Sequence, residues 1–135
     1  MKIFCKNLKF ICFCHKNVVY CKKIIAMETL SHYQTIKRLF QFSIKIVDLY
    51  EYLIEQNKKP IAVRLLNSTF NASCAYQNKV YSDKRKDIKE YEQKTYINFK
   101  NIIYWLDQCQ KSGYLQEPEL INEAVNLQEL CCNQA

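Results

Sequence analysis

The stretch Leu30–Gln56, LSHYQTIKRLFQFSIKIVDLYEYLIEQ, decides the fold. Its apolar residues step by three and four through Tyr33, Ile36, Leu39/Phe40, Ser43, Ile46/Val47, Tyr50 and Leu53/Ile54. That spacing puts them on one face of a helix, and no Gly or Pro interrupts the run. A helix of roughly 27 residues spans about 40 Å and has one apolar stripe to cover. It needs partners, and the rest of the chain supplies three more helices.

Asn57-Lys58-Lys59 reads as a loop, after which Pro60 suits the first turn of helix two, where its missing N–H is not needed. Ile61, Leu65/Leu66, Thr69/Phe70, Ser73 and Tyr76/Gln77 carry that helix to about Val80. Its small polar residues Asn67, Ser68, Asn71 and Ser73 suit close helix approach or an inter-subunit face. Ser82 or Asp83 is the expected cap of helix three, whose stripe is Ile88, Tyr91, Thr95, Phe99, Ile102/Ile103, Leu106 and Cys109. Ser112-Gly113 stops it. Pro118 opens helix four, on which Ile121, Ala124/Val125, Leu127/Gln128 and Leu130/Cys131 form a shorter stripe. Short loops join antiparallel neighbours, so the expected fold is all-α, an antiparallel up-down-up-down four-helix bundle over 27–135. Its expected core includes Leu65, Leu66, Phe70, Ile88, Phe99, Ile102, Trp105 and Leu106, with Trp105 anchoring helix three on helix four. Cys74 and Cys109 read as small core hydrophobes.

Composition agrees with this. One Gly and two Pro in 135 residues argue against a sandwich or barrel, and no Gly-rich phosphate loop is present. The net charge of +7 is unevenly spread. Residues 1–26 hold six lysines (Lys2, Lys6, Lys9, Lys16, Lys22, Lys23) and no acid, which leaves only +1 for 27–135. This leader also holds Cys5, Cys12, Cys14 and Cys21. Its longest apolar run, Phe10–Cys14, is too short for a signal peptide or a membrane span. It reads best as upstream sequence outside the fold, with Met27 the working start. A basic membrane-surface helix and a zinc site at Cys12, Cys14, His15 and Cys21 are the weaker readings, because C-x-C-H-x5-C is not a usual zinc spacing. With no export signal the expected compartment is reducing, read as the cytoplasm, and no membrane is expected as a partner.

From Leu65-Leu66-x-Ser68, through Ser82-Asp83-Lys84-x-Lys86-Asp87-Ile88, to Tyr104-Trp105-Leu106 and Ser112-Gly113-Tyr114-Leu115, the chain resembles the four-helix-bundle proteins related to the large-subunit rRNA intervening-sequence protein. The match runs over Ala62–Leu115 without a gap, and nothing in 1–26 belongs to it. The family's Ala-Asn-x-x-Glu in helix two is not kept, since Cys74-Ala75-Tyr76-Gln77-Asn78 stands there. The resemblance implies a bacterial homo-oligomer, often a five-fold ring, without known catalytic activity. One branch serves diversity-generating retroelements as a basic accessory that binds a reverse transcriptase and nucleic acid.

The residues themselves give catalysis little to work with. Outside the leader the only histidine is His32, and no Arg-x4-His or Glu-x-x-His is present. An enzyme is not expected, nor a metal, cofactor or small-molecule substrate. The candidate nucleic-acid contacts are Lys79, Lys84, Arg85, Lys86, Lys89 and Lys94, among which lie Tyr76, Tyr81, Tyr91 and Tyr96. Basic groups beside aromatic rings can hold phosphates and stack bases. The alternative is a protein–protein adaptor that uses exposed aromatics as anchors.

Overall fold

The computed structural model describes residues 18–132, with side chains from Ser31 onward. Among the described residues there are four helices and no strand: α1 (Val18–Glu55), α2 (Lys59–Tyr81), α3 (Arg85–Lys111) and α4 (Glu119–Cys132). Each packs chiefly on its neighbours in sequence, and α4 closes the ring on α1. The architecture is the antiparallel four-helix bundle that the stripes and short loops imply. No described helix is long and apolar enough to cross a membrane.

Burial follows a seven-residue rhythm in every helix. The buried positions are Thr35, Leu39, Phe42, Ile46, Leu49 and Leu53 on α1, and Ala62, Leu65, Thr69, Ala72, Tyr76 and Lys79 on α2, where the small Ser68 and Ala75 are buried beside that line. They continue as Thr95, Phe99, Ile102, Leu106 and Cys109 on α3, and Leu120, Ala124, Leu127 and Cys131 on α4. Alternating steps of three and four average 3.5 residues, the period at which long helices keep one seam against their partners. Three of these positions are threonines, and each hydroxyl donates to its own helix four residues back: Thr35 to Ser31 O, Thr69 to Leu65 O and Thr95 to Tyr91 O, at 2.7–3.0 Å. The core therefore accepts them at little cost.

Several expectations are corrected. α1 begins at Val18 instead of Leu30, because nothing between them breaks a helix, so residues 18–26 of the leader have helical backbone. The side chains of that segment, and the readings made on Cys5, Cys12, Cys14, His15 and Cys21, lie outside the described residues. The α1 seam is turned by one position, which leaves Tyr33 and Phe40 outside and brings Phe42 and Leu49 in. Phe70, expected in the core, is 47% exposed, and Ile88 is half-buried. Leu66 and Trp105 are partly buried at the edge of the core, and Cys74 is exposed while Cys109 is buried. Neither Ser82 nor Asp83 caps α3: Lys84 holds that place with extended backbone and no side-chain cap, and Ser82 instead closes α2.

The other helix ends match their sequence signals. Asn57, with φ 59°, ends α1 as Lys58 N–H reaches Leu53 O and Asn57 N–H reaches Ile54 O. Gly113, with φ 80°, repeats the motif after α3, where Tyr114 N–H reaches Cys109 O and Gly113 N–H reaches Gln110 O. A left-handed residue at this point satisfies the carbonyls that a helix otherwise leaves open.

Candidate functional site

The six basic residues singled out in sequence do not form one surface. Lys79 lies on the α2 core line and is only 8% exposed. Its ammonium donates to Cys131 O at 2.7 Å and stands 3.5 Å from Glu92 Oε1 and 5.9 Å from the centre of the Tyr76 ring. α4 has no basic residue in its own last turn, so Lys79 from α2 fills that role across the bundle. It is withdrawn from the nucleic-acid set: a charge in this position holds α4 in place. Lys94 pairs with Glu90 at 3.4 Å and covers the Tyr91 ring. Lys84, Arg85, Lys86 and Lys89 remain exposed around the start of α3, with Tyr81 exposed beside them.

Above Lys79 the polar layer continues. His32 Nδ1 and Tyr76 Oη are 2.9 Å apart, which ties α1 to α2. Burial pushes the Tyr76 phenol up to about 12, against a smaller opposing effect of the Thr35 hydroxyl. Burial likewise pushes the Cys131 thiol up to about 12, which makes it an inert core group and not a nucleophile. Among the described residues no three His, Cys, Asp or Glu side chains gather as a metal site.

The exposed surface that sequence reasoning missed is apolar. Tyr33, Phe40, Val47 and Ile54 recur every seven residues on α1, outside the core seam. Tyr33 is 64% and Phe40 65% exposed, and Ile44 adds to them. The opposite flank of α1 holds Lys45, which reaches Glu123 of α4, so this stripe borders α2. On α2, Phe70 lies on the flank away from Arg64, which stacks over Trp105 of α3, so Phe70 borders α1. With His32 level with Tyr76, the antiparallel count brings Phe40 to within about half a turn of Phe70. The signal was present in the sequence as a second seven-residue line, but Tyr33, Phe40 and Phe70 were assigned to the first.

No protein-family model and no curated protein matches the sequence. Among solved structures, the bundle is similar to a Bacteroides thetaiotaomicron protein of unknown function from the S23 ribosomal protein family. The TM-score is 0.69 at 17% identity, over 76% of this chain and 96% of that one. At this identity the likeness establishes the four-helix fold and nothing finer.

Proposed function

We propose that the protein acts by association and not by catalysis, as a homo-oligomeric bundle whose α1/α2 face docks on a second copy. The observation that carries this reading is the outer stripe of α1, on which Phe40 is 65% exposed, with Phe70 of α2 47% exposed at about the same level by residue count. Covering a large apolar side chain is worth about 1.5–3 kcal/mol, so a few such residues can hold an interface. The seven-residue period suits a helix of the same pitch, and α1 itself is one. The resemblance carried by Leu65–Leu115 points the same way, including to a five-fold ring. Light scattering on the full chain should give a multiple of 16.2 kDa. Phe40→Glu with Phe70→Glu should give a monomer that melts at the same temperature or slightly below. A monomeric parent at tens of micromolar overturns the reading.

A second reading, RNA binding as an rRNA-associated or reverse-transcriptase accessory protein, is favoured by the start of α3. Arg85 and Lys86 stand in its first turn, where the helix dipole is already positive, with only Asp87 to offset them. A bound phosphate would relieve that repulsion, and an oligomer would repeat the patch. Replacing Lys84, Arg85 and Lys86 with Ser should abolish RNA binding without changing the oligomeric mass. If the unmodified protein binds no RNA at low salt, an adaptor role without nucleic acid is the better description.

A further inference from the structure

The end of the bundle away from Lys79 has a cavity of about 140 Å³ between α1 and the segment that joins α3 to α4. Its floor is Leu49 and Leu120, both buried, and the rings of Tyr52 and Tyr114 line it. Asp48 and Glu117 also line it, and among the described residues neither carboxylate has an ion-pair partner. The one cation in the lining, Lys45, is taken by Glu123 at 3.0 Å. The Glu123 carboxylate raises the Lys45 pKa, and Glu117 and Glu119 add weaker attractions, so one ammonium faces several carboxylates at this mouth. The N-terminus of α4 would favour an anion here, but Glu117 precedes it and Glu119 occupies its first turn. The Tyr114 ring already takes one ammonium, that of Lys58, 5.6 Å from its centre.

An apolar floor, aromatic walls and rim carboxylates that outnumber the one lining cation match one ligand chemistry. We infer that this notch is a binding site for a small organic cation, an alkylammonium or guanidinium on a short apolar stem. The volume suits that size: a dry cavity of about 150 Å³ accommodates a benzene-sized molecule. The stem would cover Leu49 and Leu120, the charge would face Asp48 and Glu117, and the ring of Tyr52 would add a cation–π contact. The same chemistry is offered by a free amine and by a lysine or arginine side chain of a partner. The site stands apart from the α1/α2 face and does not depend on the oligomer.

The test is an NMR titration of the full chain with n-butylammonium, n-butanol and butyrate in parallel. Saturable shifts at 48–52 and 114–120 are expected for the ammonium alone, and Asp48→Asn with Glu117→Gln should weaken binding at least tenfold at an unchanged melting temperature. Tyr52→Leu should weaken it several-fold. Capped lysine amide separates the sources: binding at least as tight as n-butylammonium assigns a partner's basic side chain, and weaker binding assigns a free amine. Equal shifts from all three probes, or full affinity in the double variant, overturn the site.

Discussion

At one end of the bundle Phe42, Ile46, Leu53, Leu65, Ile102, Leu106, Leu120 and Leu127 close a core of hydrocarbon and a single phenyl type. At the other, Thr35, Tyr76, Lys79 and Thr95 occupy the same seam positions, and His32 and Glu92 reach them from the edge. The seam and its seven-residue period are common to both ends; the difference is in direction. Apolar packing has no preferred partner, whereas the ammonium of Lys79 donates only to an oxygen at the right distance. The apolar end supplies stability, and the polar end fixes which turn of α4 meets which turn of α2.

The comparison can be broken at either end. Phe42→Ala removes a fully buried ring from the apolar half and should cost about 3–5 kcal/mol in urea melts, the largest single effect expected. Lys79→Met keeps the volume but leaves the Cys131 carbonyl without its donor, for a loss of about 3 kcal/mol. Hydrogen exchange should place that loss in the last turn of α4, whereas a uniform loss would make Lys79 ordinary packing. Alkali should act most strongly on the polar end, although burial also raises the Cys109 thiol at the other. The Tyr76 phenol and Cys131 thiol have folded values raised above 10.0 and 9.0 to about 12, so their contributions are intact below pH 9 and lost as pH rises toward 12. Tyr76→Phe should flatten that decline, by on the order of 2 kcal/mol near pH 12. Trp105→Ala should cost only about 1–2 kcal/mol. The ring is half-buried between Tyr104, edge-on at 4.9 Å, and the Arg64 guanidinium at 5.0 Å.

Helix number, order and loops were legible because the stripes, Pro60 and Gly113 each act locally, through periodicity or backbone conformation. The core was legible to within one position. Leu65, Phe99, Ile102 and Leu106 are buried as expected, but Tyr33, Phe40 and Phe70 were read as core because hydrophobicity alone does not say which of two adjacent lines turns inward. Lys79 was misread for the complementary reason. Counting on from Ala62, Leu65, Thr69, Ala72 and Tyr76 lands on it, yet a lysine is ordinarily assigned to solvent, and its oxygen partner lies 52 residues away. Of the basic residues singled out, Lys84, Arg85, Lys86 and Lys89 are exposed, as charge alone suggests. The cavity by Tyr52 and Tyr114 was not, because the separation between those residues is closed only by the fold.

The bond from Lys79 to Cys131 also couples closure of this end of the bundle to the docking of α4. Until α4 docks, α1, α2 and α3 already present most of the apolar seam. Drawing Lys79 into that seam without its carbonyl would strand a charge, which is costly enough to keep this end wet and open. The three long helices can gather at the apolar end while the polar end waits for residue 131. The lysine thus makes a dry, closed polar end conditional on a docked α4.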